Sequence, residues 1–235
     1  MNYSFRLLVS FCFFMLGLSA SSFGQSTVPK AVISDDQAKV LLGQRVILEA
    51  ERDGYMSVHK IVYSPTGKHF VVIACGFECT DNSGFLFSAD GRRKREFTGR
   101  WDQLFADKLE WSADSKRIYY YRINSTGADP PKSAPAEGWI AVDVATGRKS
   151  SGAARPLEKN KPYSVFDTAD GLAVRATPGP KGKELGRLAS DAKDVYVTGS
   201  TRRVGNTFWI PIKANSLAGW VNQRYLFSLP SLPKL

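Results

Sequence analysis

The sequence predicts an all-β protein in two modules: a meander of repeated strands, then a small barrel. Three observations carry this. Apolar residues recur with period two, or in short β-branched and aromatic runs, along most of residues 57–226. Turn residues punctuate those runs at Ser64-Pro65-Thr66-Gly67, Ala89-Asp90-Gly91-Arg92, Ala145-Thr146-Gly147-Arg148 and Thr177-Pro178-Gly179-Pro180. One order of strand and turn also returns within the chain. The 235 residues are 43% hydrophobic and 23% charged, which excludes a disordered or fibrous chain and allows two small cores.

Residues 1–24 read as a signal peptide. Arg6 is the only charge in a short polar start, Leu7–Leu18 is almost wholly apolar, and Ser19, Ala20, Ser21, Ser22 and Gly24 are small. The apolar run is shorter than the roughly 20 residues a membrane span needs. Cleavage after Gly24 is preferred, and cleavage after Ala20 also fits. A secreted or periplasmic protein is expected, with no transmembrane segment once the signal is removed.

Residues 26–54 open the mature chain. Ser34-Asp35-Asp36-Gln37 has the look of a capping box before Ala38, Val40, Leu41 and Leu42, so a short helix is expected near 35–43. Strands are expected at Ser57–Tyr63, His69–Ala74, Gly84–Ser88 and, more weakly, Arg93–Phe97. Cys75 and Cys79 are the cysteines left after cleavage, and an even pair in an oxidising compartment favours a disulfide over free thiols or a redox centre. Gly76 permits the turn that so short a loop requires. With His59 and His69 the pair does not match a zinc spacing, so no metal and no cofactor are expected.

Tyr63-Ser64-Pro65-Thr66-Gly67-Lys68 is answered by Trp111-Ser112-Ala113-Asp114-Ser115-Lys116, an offset of 48. Gly84-Phe85-Leu86-Phe87 is answered by Gly138-Trp139-Ile140-Ala141, an offset of 54, and Asp143-Val144-Ala145-Thr146-Gly147 closes the second copy. Through these residues the chain resembles the TolB-type β-propeller repeat over about residues 57–150. Thr66 and Ser115 depart from its usual Asp and Gly. The resemblance implies two blade-like repeats within a domain spanning 26–150. Two blades cannot close a propeller, so either an open sheet pair covered by its neighbours or completion of a ring by oligomerisation is expected, the first being favoured.

Residues 151–162 are polar, contain Pro156 and Pro162, and read as a linker. Residues 163–228 hold the last set of strands, and 229–235 form a tail. Leu172/Val174/Arg175, Pro178/Gly179, Gly186/Leu188, Val195/Val197, Trp209/Ile212, Gly219/Trp220/Val221 and Tyr225/Leu226 occur in the order of the bacterial SH3-like (SH3b) domain, which this module resembles. Ala173, Pro211 and Ile212 depart from its pattern. That resemblance implies a small barrel associated with cell-wall peptides or protein partners. Alternation along residues 207–212 places Phe208, Ile210 and Ile212 on the core side, with Trp209 and Pro211 outside.

The net charge of +10 is uneven. Residues 155–235 hold 13 basic and 6 acidic side chains, net +7, which favours anionic partners. An aromatic groove with a basic rim suits a peptide bearing carboxylates, and the candidate residues are Trp209 and Tyr225 with Arg202, Arg203 and Arg224. The chain lacks Gly-x-Ser-x-Gly and His-Glu-x-x-His, so no catalytic residues are assigned and an enzyme, such as a wall hydrolase, is not expected. Export and the lack of a recognition helix argue against nucleic acid as the partner of Arg92-Arg93-Lys94-Arg95. The expected function is a non-catalytic extracytoplasmic binding protein, with an envelope scaffold docking through the repeats as the alternative.

Overall fold

The computed structural model describes residues 29–76, 82–98, 103–123, 138–152, 154–166 and 168–228. Residues 1–24, expected to be a signal peptide, Cys79 and the tail lie outside these residues. The described chain is built almost wholly from antiparallel strands in four sheets. The first sheet is β1 (Ala31–Ile33), β2 (Lys39–Leu42) and β3 (Arg45–Glu49). The second is the meander β4 (Ser57–Tyr63), β5 (His69–Cys75), β6 (Asn82–Ser88) and β7 (Arg93–Glu96). The third is β8 (Gln103–Trp111), β9 (Arg117–Ile123), β10 (Gly138–Asp143) and β11 (Lys149–Ser151).

The short N-terminal helix is not formed. Ser34-Asp35-Asp36-Gln37 makes a β-turn that leads into β2. Ser34 Oγ accepts the Lys39 N–H at 2.9 Å, Asp36 Oδ1 accepts the Ala38 N–H at 3.0 Å, and Gln37 takes φ 57°. Ser-x-Asp offers the same oxygen acceptors to a helix start and to a hairpin turn. Long-range packing decides here, because Val40 and Leu48 are fully buried against the second sheet.

The sheets stack face to face in chain order, and the side-chain alternation of each strand feeds two cores. On β5, Phe70, Val72 and Ala74 meet the first sheet, while Val71 and Ile73 meet the third. On β9, Ile118 and Tyr120 face the second sheet, while Tyr119 and Tyr121 face the fourth. Burial on both faces explains why residues 70–75 and 118–121 read as continuous apolar and aromatic runs instead of alternating with polar residues.

The seams between sheets repeat as well. The Tyr63 hydroxyl accepts the Ala31 N–H at 2.5 Å, and its repeat counterpart Trp111 donates from Nε1 to the Val62 carbonyl at 3.3 Å. Arg45 on β3 donates to the Asp90 carbonyl in the turn after β6. Arg95 on β7 likewise donates to the Ala145 carbonyl in the turn after β10, at 2.9 Å. Each of those turns carries a glycine with positive φ, Gly91 and Gly147, and the arginine side chain fills the space where a Cβ would sit.

The fourth sheet contains β12 (Pro162–Val165), β13 (Leu172–Arg175), β14 (Glu184–Leu188), β15 (Val195–Val197), β16 (Arg202–Val204), β17 (Thr207–Ala214), β18 (Leu217–Asn222) and β19 (Leu226–Ser228). Its order is β14-β13-β18-β17-β15-β12-β19, with β16 also on β17. It wraps one core that includes Val165, Leu172, Val174, Val195, Val197, Ile210, Ile212, Val221 and Leu226.

A polar and aromatic seam joins the third and fourth sheets. Arg155, with 1% of its side chain exposed, pairs with Glu110 at 3.0 Å and lies 3.7 Å over the Trp139 ring. It also donates to the carbonyls of Gln223, at 3.1 Å, and Leu226. Glu110 accepts the Ser228 N–H at 3.0 Å, and Trp139 Nε1 donates to the Arg224 carbonyl at 2.9 Å. Phe166 sits edge-on to Tyr121 and Phe227, with ring centroids 5.0 and 5.5 Å away. Arg155 belongs to the segment expected from its composition to be a linker, yet it is among the most deeply buried side chains described.

Candidate functional site

The outward face of the fourth sheet follows from its alternation. Leu172 and Val174 point into the core, which leaves Ala173 and Arg175 outside. Register then sets their neighbours. Arg187 lies opposite Ala173, Trp220 lies opposite both Arg175 and Pro211, and Asn222 lies opposite Trp209. After β18 the chain turns through a 3-10 segment, Gln223–Tyr225, capped by Asn222 Oδ1 accepting the Arg224 N–H at 3.0 Å. That turn brings Tyr225 to the mouth of a groove of ≈ 400 Å³ shared by Trp209, Ala173, Arg175, Arg187 and Asp170.

Trp209 is 5% exposed and forms part of the groove wall. Its Nε1 donates to Thr207 Oγ1 at 2.8 Å, so the indole expected outside the sheet is almost wholly covered and its polar edge is already used. Arg175 donates to the Gly182 carbonyl at 2.8 Å and approaches Glu184 at 3.6 Å. Arg187 pairs with Glu184 at 2.9 Å and donates to the Asp170 carbonyl at 3.2 Å. Two guanidinium groups are thus held beside an aromatic wall, with Glu184 offsetting part of their charge. The arrangement favours an extended ligand that combines an apolar stem with a carboxylate.

The structure brings together Trp209 and Tyr225 of the expected residues, and distributes the three arginines elsewhere. Arg202 is exposed with its guanidinium 5.3 Å over the Trp220 ring, and Arg203 donates to the Gly205 carbonyl at 3.0 Å. Arg224 turns toward the third sheet and donates to the Tyr121 hydroxyl at 2.8 Å. Its position at the end of the 3-10 turn aims it into the seam, away from the groove. Arg175 and Arg187 supply the cations at the groove instead. The signal for Arg175 was present in Leu172-Ala173-Val174-Arg175, since two inward residues place the fourth outward. Phe208 also departs from expectation, being half-buried in a cavity of ≈ 250 Å³ at the seam with Trp139, Arg155 and Arg224, while Ile210 and Ile212 enter the core.

Cys75 is fully buried at the end of β5, and its expected partner Cys79 lies outside the described residues. Among the described residues no group of three His, Cys, Asp or Glu is placed to hold a metal, and no helix is long and apolar enough to cross a membrane.

Comparison with known proteins shows a distant likeness in fold. The solved β-propeller domain of the Trilobed protease from Pyrococcus furiosus, described as having an open velcro topology, is 11% identical, with a TM-score of 0.31. The match covers 85% of this chain and 64% of that one, so the chain spans less than two thirds of that domain's length. No protein-family model matches the sequence, and no curated protein matches it.

Proposed function

We propose that the protein is a non-catalytic binding protein of the cell envelope, exported by residues 1–24 and stabilised by a Cys75–Cys79 disulfide. Its C-terminal module is an SH3-like barrel that holds carboxylate-bearing cell-wall peptide in the groove of Trp209 and Tyr225. The observation that carries this reading is the groove itself, where an indole, a phenol ring, Arg175 and Arg187 line one furrow of ≈ 400 Å³. Rings cover apolar stems and arginines pair with acid groups, which matches a peptide rich in carboxylates better than a neutral glycan.

Sedimentation with insoluble peptidoglycan tests the proposal. The wild-type protein pellets with the polymer. Ala173→Trp, which fills the groove from the outward face and spares the core, stays in solution with an unchanged thermal midpoint, and Trp209→Ala also loses binding. Equal pelleting of wild type and Ala173→Trp, or no pelleting of either, would overturn it. Clearing of the polymer suspension would point to a hydrolase.

One observation favours the scaffold alternative. Val32 (53% exposed), Leu41 and Val46 (43% exposed) form a cross-strand row on the outer face of the first sheet. An apolar row on an outer face suits docking of an envelope protein, and Val46→Lys would abolish that docking without affecting peptidoglycan sedimentation.

A further inference from the structure

The turns of the second and third sheets lie side by side, tied where Ser115 Oγ accepts the Thr66 N–H at 3.1 Å. Between them is a cleft of ≈ 420 Å³, far in sequence from the groove of the fourth sheet. Lys68 and Lys116, equivalent positions of the repeat, line it together with Lys94 of β7, His69, Asp114 and Asp143.

The two carboxylates are committed to their own turns. Asp114 accepts from Ser112 Oγ at 2.7 Å and from the Lys116 N–H at 3.0 Å. Asp143 accepts from the Thr146 N–H and Oγ1, both at 2.7 Å. Lys68, Lys94 and Lys116 form no ion pair among the described residues. Three lysines therefore line a cleft whose two carboxylates are hydrogen-bonded within their own turns, which leaves a lining of net charge +1 with Lys116 acting on Asp114. His69 lines the cleft between them, and its Nδ1 is buried.

The donor chemistry narrows the ligand. Arginine forks match carboxylates two bonds at a time, whereas lysine acts as a compact point charge suited to phosphate. No arginine lines this cleft, in contrast to the groove beside Trp209. We infer that the cleft between the second and third sheets is an anion site for a phosphoryl group, supplied by a soluble phosphate or by a lipid headgroup, with Lys68, Lys94 and Lys116 as its cations.

Amide chemical shifts of the protein, followed during titration with inorganic phosphate and with glycerol phosphate at constant ionic strength, test this. Sedimentation with phosphatidylglycerol vesicles, against phosphatidylcholine vesicles, forms the second arm. Saturable shifts at Thr66, His69, Ser115 and Lys116 are expected, with a Kd of about 1 mM or tighter. Lys68→Gln combined with Lys116→Gln weakens binding about tenfold or more, and Lys181→Gln in the fourth sheet's module leaves it unchanged. A response to the free phosphates alone assigns a soluble ligand. Vesicle binding that is lost in the double variant, without a response to free phosphate, assigns the headgroup. Absence of binding in both arms, or wild-type affinity in a folded double variant, overturns the inference.

Discussion

A guanidinium group that has left water costs several kcal/mol to bury, and only a paired acid with further acceptors offsets that cost. Arg155 has these in Glu110 and in the carbonyls of Gln223 and Leu226, with the Trp139 ring beneath it. Removing only the cation, as in Arg155→Met, strands the Glu110 carboxylate and should destabilise the protein by about 3–5 kcal/mol in denaturant unfolding. Adding Glu110→Leu should restore much of that loss, because the stranded charge disappears with it. Burial alone would raise the pKa of Glu110, but the Arg155 charge and the Ser228 N–H outweigh it and hold the carboxyl below its ordinary 4.5. A carboxyl depressed by folding stabilises the folded state above its ordinary pKa, and that contribution fades as pH falls through the folded value. Wild-type stability should therefore fall below about pH 4.5 by a margin that the Arg155→Met/Glu110→Leu variant lacks, as read by urea titration at stepped pH. None of this was legible in the sequence, where Arg155 is one cation in a polar stretch with prolines. Strand alternation gives the side of the sheet on which Trp209 lies but not its burial, which its surroundings decide, and it could not place Arg224, because the 3-10 turn breaks the period.

At the scale of elements, β4–β7, β9 and β10 could be read because turn chemistry brackets them, whereas β8, β11 and β16 could not, since no paired turn signals frame them. The first sheet could not, since the Ser34–Gln37 oxygens serve a helix cap as readily as a hairpin and the choice is made by contacts with residues some 30 positions away. The turns themselves are testable. Gln37 is held at φ 57°, a conformation that costs a non-glycine residue about 1 kcal/mol or more. Gln37→Gly should remove that strain and, after the extra chain entropy of glycine is deducted, stabilise the protein by about 0.5 kcal/mol. Gly91→Ala should do the reverse. The position has φ 79°, and the added Cβ would lie 2.7 Å from Arg45 Nη2 and 2.8 Å from Leu42 Cδ2. A loss of about 2–4 kcal/mol is expected from backbone strain together with overpacking, and parallel thermal melts of the two variants would give opposite signs.

For the whole molecule, the stack implies that neither module is finished by itself. Tyr119, Tyr121, Trp139 and Ala141 form the far face of the third sheet, and Phe166 and Phe227 cover it. The protein should unfold as one cooperative unit, with coincident near- and far-ultraviolet transitions. Tyr121→Ala removes the centre of that contact and should separate them into two steps. The repeated part of this arrangement was foreshadowed by the offsets of 48 and 54, but the order of stacking was not, because it depends on which face of each sheet meets which neighbour. The Arg45–Asp90 and Arg95–Ala145 links give that order a further meaning. Arg45 of the first sheet reaches the second and Arg95 of the second reaches the third, so the same kind of bracket serves two successive seams. Duplication of the second sheet would bring both halves of such a bracket to the new seam, an arginine on one side and a glycine turn to receive it on the other, so growth by that one whole sheet is the variation these contacts permit.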